Sequence, residues 1–504
     1  MVIAVALAVT ACASLPSLEG RKESHAYTQT ADTRLGRAIA PQAAAHPGKS
    51  GIHALTQPTD AYAARVVLAL AAEKCIDVQY YIWRDDQAGI GLFEALWKAA
   101  GRGVRVRLLL DDANTKGLDE VIATFAAHPN VEVRLYNPFA SRGSRLMGYV
   151  TDFSRLNRRM HNKSFTADNQ ATVVGGRNVG NEYFGLGDDE MFADLDVLAT
   201  GAVVREVSDA FDLYWNSASA YPALDVVPRA GDGAAERLVA SFAANHEDPA
   251  SKEYREAVQH TQLLRQLLDQ TLRMEWTEAR AVRDDPAKTL DTTERRDVLM
   301  LTDLLATFGK PEKAFYLVSP YFVPGKEGVA ALGSLAQRGV HTVVLTNSLA
   351  ATDVGPVHAG YTKSREALID AGVKLYELKP SSTAEKEHKK NKGSSPESLH
   401  AKTFALDDKR IFVGSFNFDP RSALLNTEMG LVIESPTLAG NLAKAFRDKI
   451  PENAYEVRKN ASGSIVWVER TPAGEVIHDD EPGAGALRRG WIRFLSWLPI
   501  DWLL

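Results

Sequence analysis

No stretch of this 504-residue chain carries the ~20 consecutive apolar residues that a membrane-crossing helix requires, so no transmembrane helix is expected. Positive charge is not in surplus either, because 58 Lys and Arg face 64 Asp and Glu for a formal net charge of −6. A protein that holds nucleic acid non-specifically offers broad positive charge to the phosphate backbone, so nucleic acid is not expected as a partner. Cysteine is nearly absent: Cys12 and Cys75 are the only two, and so small a number does not fix a redox compartment. What is plentiful is ordinary folding material, 45% hydrophobic and 24% charged residues, over a length that allows two or more domains with full cores.

Within that material one pattern occurs twice. His161-Asn-Lys163 and His400-Ala-Lys402 are each followed, after four intervening residues, by an acid, Asp168 and Asp407. After six further residues come Gly175-Gly-Arg-Asn178 and Gly414-Ser-Phe-Asn417. A lone His-x-Lys is an ordinary solvated strand face, but two copies in step at His, Lys, Asp, Gly and Asn indicate duplication. Residues two apart on a strand point to one face, so each imidazole and ammonium reach into one pocket.

The chemistry that suits this set is phosphodiester cleavage, which needs a nucleophile, a proton donor for the leaving alkoxide and cationic clamps. One neutral imidazole can attack phosphorus and the other, protonated, can deliver the proton. Lys163, Lys402, Asn178 and Asn417 are expected to hold the phosphoryl oxygens, with Ser415 counted among the substrate-binding groups. Asp168 and Asp407 belong to the motif and are grouped with its catalytic residues, although they are expected to brace the motif strands rather than touch substrate. Neither motif His has a metal-ligand spacing such as His-x3-His, and no metal or cofactor is expected.

The repeat extends on both sides. Ile76–Trp83, a helical stretch over 92–100 and Arg102-Gly-Val104 before an apolar run match Phe315–Val323, a helical stretch over 329–337 and Arg338-Gly-Val340. Beyond each Asn a further strand opens on an acid, Asp194 or Glu428, each placed to orient a catalytic imidazole and expected to steady the histidine of its own half.

These residues resemble the phospholipase D superfamily, whose signature is two His-x-Lys-x4-Asp motifs. From about residue 55 onward the chain is similar to one subtype of bacterial cardiolipin synthases. The likeness is carried by Val78–Trp83, Arg102–Asp112, Asp152–Phe165, Leu345–Ala351, Gly414–Ser422 and Leu498–Leu504, with Asp501 where a Glu is expected. It implies an α/β fold of two duplicated lobes facing each other across one active site. It also implies phosphatidyl transfer from phosphatidylethanolamine to phosphatidylglycerol through a phosphohistidine, with His161 as nucleophile and His400 as general acid. The symmetry of the motifs by itself leaves those two roles open.

Outside the motifs, Arg142, Arg145, Arg155, Arg158 and Arg159 precede His161, and Arg158 and Arg159 are expected to receive an anionic head group. Residues 381–398 are rich in Ser, Lys, Glu and Gly and are expected to form a mobile loop near the site. Leu263, Leu264, Leu267, Leu268 and Leu272 give a helical stripe expected to pack in a core. At the N-terminus Val9-Thr-Ala-Cys12 resembles a bacterial lipoprotein cleavage site, with Cys12 the lipidated residue, although no basic segment precedes it. The C-terminal segment interleaves Arg488, Arg489 and Arg493 with Trp491, Trp497 and Trp502, which suits a lipid head-group region. The expected organisation is therefore a signal and linker over 1–54, a first lobe over 55–230, a helical connector over 231–296, a second lobe over 297–458 and a membrane-interface extension over 459–504. Phospholipids and a membrane surface are the expected partners, and a lipid-anchored peripheral protein the expected form. A hydrolase that uses water as acceptor, a nuclease and a non-catalytic lipid-binding protein are the alternatives, and the intact His, Lys and Asn residues argue against the last.

Overall fold

The computed structural model describes residues 14–143, 145–186, 191–269, 271–290, 299–380 and 397–498. Cys12, nearly all of the 381–398 segment, the end of the connector from 291 and the final residues from 499 lie outside the described residues.

Cys75–Tyr80 is buried along its whole length and Arg105–Asp111 along all but its first residue, as expected of central strands covered on two sides. The helix Gln87–Gly101 joins them, capped at its start by the Asp86 carboxylate on the Gly89 N–H. It stops at Arg102-Gly103, where Gly103 takes a φ of 93° that a side chain would resist. The two strands are parallel, with Cys75 opposite Arg105. Ala314–Val318, the helix Gly325–Gln337 and His341–Asn347 repeat this unit, with Ala314 opposite His341 and Gly339 at a φ of 84°.

Each unit grows into a mixed sheet in the same order. The first runs Glu275–Thr277, Ser50–Leu55, Asp196–Gly201, Ala171–Gly175, Ser164–Ala167, Cys75–Tyr80, Arg105–Asp111, Val131–Tyr136, Ala220–Pro222. The second runs Ala279–Arg283, Met429–Ile433, Arg410–Gly414, Lys402–Leu406, Ala314–Val318, His341–Asn347, Lys374–Leu378, then Ala454–Lys459, Ile465–Thr471 and Gly474–His478. Val174, Val197 and Ala199 of the first sheet share one buried cluster with Val413, Leu431 and Ile433 of the second, so the halves close on a common core. The architecture is thus two duplicated α/β lobes.

The span between the repeats holds the helices Ala234–Glu247, Pro249–Gln259 and Gln262–Leu268. Leu263, Leu264, Leu267 and Leu272 join the core of the first lobe. Two strands then follow directly on each other: Glu275–Thr277 completes the first sheet and Ala279–Arg283 the second. At the far end the helix Ala486–Ser496 buries Ile492 and Leu495 beside Leu349 and Ala359 while Trp491 and Trp497 stay exposed. One face of this helix is therefore packed on the protein, while the face that carries Trp491 is exposed.

Candidate active site

Each motif strand forms a tight hairpin with the next, and the hairpin explains the motif acid. Asp168, Asn169, Asp407 and Asp408 all have φ between 50° and 54°, a left-handed turn that short polar side chains tolerate. The Asp168 carboxylate accepts the backbone N–H groups of Glu73, Lys74 and Cys75 at 3.0, 2.7 and 3.0 Å. Asp407 does the same for Glu312, Lys313 and Ala314 at 3.0, 2.7 and 2.9 Å. Both tie the hairpin to the start of the first parallel strand, the end away from the histidines, so they brace the motif and leave the catalytic set.

The two histidines come together by exchange between the halves. His161 donates its backbone N–H to Thr427 at 2.9 Å, which sets its Nδ1 2.8 Å from Oε2 of Glu428. His400 donates its backbone N–H to Ala193 at 2.9 Å, which sets its Nδ1 2.6 Å from Oδ2 of Asp194. Each acid therefore steadies the histidine of the opposite half, which corrects the expectation that it would serve its own. A carboxylate at Nδ1 fixes the tautomer and leaves Nε2 for chemistry.

Both lysines lie beside the imidazoles, and all four side chains are nearly closed off, His161 at 7% and His400 at 5% exposed, Lys163 and Lys402 at 1%. Lys163 donates to the His161 carbonyl at 2.6 Å, and Lys402 donates to that of His400. Aromatic rings finish the walls. Tyr81 lies edge-on to His161 at 5.0 Å with its ring 5.7 Å from Lys163 Nζ, and Tyr321 has its ring 5.9 Å from Lys402 Nζ. Tyr183 and Phe192 lie 5.3 and 5.0 Å from His400. None of these four was singled out from the sequence. The available signal was a tyrosine just past the first parallel strand of each copy, Tyr81 and Tyr321.

Burial sets the electrostatics. It depresses His161 well below its ordinary value, helped by the Lys163 and Lys402 ammoniums, and it lowers His400, where Lys402 adds to it and Asp194 opposes it. It also brings Lys163 down to about 7 and Lys402 to about 8. The acids diverge. Burial would raise both, but at Asp194 the His400 charge and hydrogen bond, with Lys402 and Arg177, hold the carboxyl below its usual range. At Glu428 burial outweighs Lys163 and the Ser415 hydroxyl and carries the carboxyl up to about 7.

The same asymmetry is built into the small-residue turns. A Cβ on Gly176 would fall 2.2 Å from Oδ1 of Asp194, so only glycine fits beside that acid. The matching Ser415 instead gives its hydroxyl to Oε2 of Glu428, the oxygen that holds His161. Ser415 thus braces the acid that holds His161. Asn178 accepts the Ile82 N–H at 3.2 Å and donates to the Tyr183 hydroxyl at 3.0 Å, leaving one amide N–H for a ligand. Asn417 keeps its Oδ1 buried without a partner, and rotation of that amide would put a donor in the same place.

The arginines preceding His161 are spent on the fold. Arg159 is 2% exposed and grips Asp111 with Nε at 2.9 Å and Nη2 at 2.6 Å. Arg158 donates to the Lys288 carbonyl at 3.1 Å, and Arg142 pairs with Asp112 and Asp119. A buried guanidinium requires a fixed counter-charge, and Asp111 supplies it to Arg159, so the placement of Arg159 does not support its expected head-group role, whereas Arg158 is only half-buried and bonds a carbonyl.

Similarity to known proteins runs over nearly the whole chain. Residues 67–215 and 304–450 match the family described as cardiolipin synthase, PLD-like domain. Cardiolipin synthase C of Escherichia coli is 47% identical over 476 residues, 94% of this chain and 100% of that protein. An uncharacterized protein of Helicobacter pylori is 30% identical over 456 residues, 89% of this chain and 88% of that one. Among solved structures, phosphatidylserine synthase of Haemophilus influenzae superposes with a TM-score of 0.56 at 14% identity, covering 94% of this chain and 100% of that one, which is a likeness of fold.

Proposed function

The chain belongs to the phospholipase D-like family of cardiolipin synthases, and from that membership we propose that it moves a phosphatidyl group from phosphatidylethanolamine to phosphatidylglycerol through a phosphohistidine. It is an enzyme of the phosphatidyltransferase and phosphodiesterase kind. The observation that carries the proposal is the pair of histidines, one from each repeat, each held at Nδ1 by the other half's acid.

In the proposed reaction the donor's phosphodiester lies between the imidazoles with its charged oxygens on Lys163 and Lys402. His161, neutral and with its Nδ1 proton directed at Glu428, attacks phosphorus through Nε2. The bond to the head-group oxygen breaks as His400, whose imidazolium the ionised Asp194 favours, hands that oxygen a proton. The head-group alcohol leaves and the phosphatidyl group remains on His161. A hydroxyl of phosphatidylglycerol then gives its proton to His400 and attacks phosphorus, which frees His161 and yields cardiolipin. Water in place of that hydroxyl would yield phosphatidic acid, so transfer depends on keeping water out of a site already closed by Tyr81, Tyr183, Phe192 and Tyr321.

A cardiolipin synthase works on membrane lipid, and among the described residues no helix is long and apolar enough to cross a bilayer. Attachment is accordingly proposed through a lipid on Cys12 and through the Trp- and Arg-rich C-terminal extension.

The roles of the histidines are tested by rapid acid quenching with a phosphatidyl donor whose leaving group needs no proton, such as p-nitrophenol. His161→Ala and His400→Ala should each abolish cardiolipin formation from natural lipid. With the activated donor, His400→Ala should still trap the phosphoenzyme and His161→Ala should not. Substantial activity of either variant on natural lipid would contradict the two-histidine mechanism.

A further inference from the structure

Two helices rest on equivalent loops of the two halves, at the carboxyl ends of equivalent strands. In the first half Arg105–Asp111 runs into the turn Asp112–Asn114, and the helix Arg145–Thr151 is seated there by Arg145, which donates to the Asp112 and Ala113 carbonyls at 2.9 and 3.2 Å. In the second half His341–Asn347 runs into the loop from Ser348 to Asp353. The helix Ala486–Ser496 is seated there by Arg488, which donates to the Thr352 carbonyl at 2.9 Å, and by Ile492 and Leu495 packed beside Leu349.

Both loops also touch the reaction site. Asn114 donates to the carbonyl of Tyr81, whose ring lies 5.0 Å from His161. Asp353 accepts the hydroxyl of Tyr321, whose ring lies 5.9 Å from Lys402 Nζ. Each helix is thus linked through one loop to a tyrosine of the reaction site.

Both carry large exposed apolar residues. Leu146 and Val150, one helical turn apart, are 77% and 74% exposed. Leu487 and Trp491, again one turn apart, are 92% and 58% exposed, and Trp497 is 79% exposed. Single exposed apolar residues are ordinary, but two groups of them bordering one site call for an apolar partner. Charge narrows the choice. The whole chain is acidic, yet the C-terminal helix holds Arg488, Arg489 and Arg493 and no acid, and of the three only Arg489 has a nearby carboxylate within ion-pair distance among the described residues, Asp480 at 3.6 Å. Aromatic and aliphatic residues beside arginines match the interface of a bilayer containing anionic lipid.

We propose that these two helices, one seated on each half, form a bipartite docking surface for an anionic phospholipid bilayer that sets the mouth of the site against the membrane. This rests on the phosphatidyl-transfer reading and adds the direction from which lipid enters.

The test uses the full chain with vesicles of phosphatidylethanolamine and phosphatidylglycerol, and with a short-chain phospholipid dispersed as monomers. Leu146→Ser with Val150→Ser, and separately Trp491→Ser with Trp497→Ser, alter exposed side chains and should leave the melting curve unchanged. Each pair should lower vesicle binding in sedimentation, and turnover on vesicles, by about tenfold, while turnover on monomers holds. Amide exchange should slow in both helices when vesicles are added. Unchanged vesicle turnover in the Leu146 and Val150 pair would overturn the proposal, as would an equal loss on monomers. Self-association in lipid-free solution that the same substitutions abolish would assign the surface to a second copy and overturn it too. If the unaltered protein bound vesicles through both helices but turned over neither lipid, the docking surface would stand and the catalytic reading would fall.

Discussion

At the residue scale the site is less symmetric than its motifs. His161 and His400 occupy matching positions, but the acids behind them are Glu428, raised by burial to about 7, and Asp194, held ionised by His400, Lys402 and Arg177. In the proposed mechanism His161 attacks through Nε2 only when an ionised Glu428 accepts its Nδ1 N–H, so phosphoenzyme formation should rise with pH through the value at which the Glu428–His161 pair loses a proton. The Ser415 hydroxyl lowers that value by bonding the carboxylate. Ser415→Ala should therefore move the acid limb of the kcat profile to higher pH and keep most of the plateau rate. A limb that stays in place would assign it to another group.

At the element scale the hairpins, parallel strands and crossover helices follow from local signals. Arg102-Gly103 and Arg338-Gly339 stop matching helices, and Asp168 and Asp407 sit where the turn needs a left-handed residue and the next strand needs its amides capped. The arginines before His161 carried no such signal. Asp112 lies 30 residues from Arg142 and Asp111 lies 48 from Arg159, so for these two the sequence exposes the charge and conceals its neutralisation. Arg159→Gln should consequently cost about 3 kcal/mol in denaturant unfolding, the order expected for a broken buried ion pair, and leave the KM for lipid unchanged in the folded protein. Unaltered stability with a raised KM would return Arg159 to the substrate. The exchange of acids between halves was also hidden, because it depends on His161 pairing with Thr427 and His400 with Ala193 across the duplication. Repetition reveals that two motifs exist, but not which strand of one half each borders in the other.

At the scale of the whole molecule that exchange makes the duplication functional. Neither half holds a complete His–acid pair, and the two share a buried core, so the proposed mechanism needs both lobes. The two proposed docking helices extend the same logic outward, one seated on each half. All of this gives phosphatidyl transfer between membrane lipids a definite product. The most direct measurement is mass spectrometry of the lipids formed when the purified protein is incubated with vesicles of phosphatidylethanolamine and phosphatidylglycerol. Cardiolipin released together with ethanolamine is the expected result, and phosphatidic acid as the sole product would contradict it.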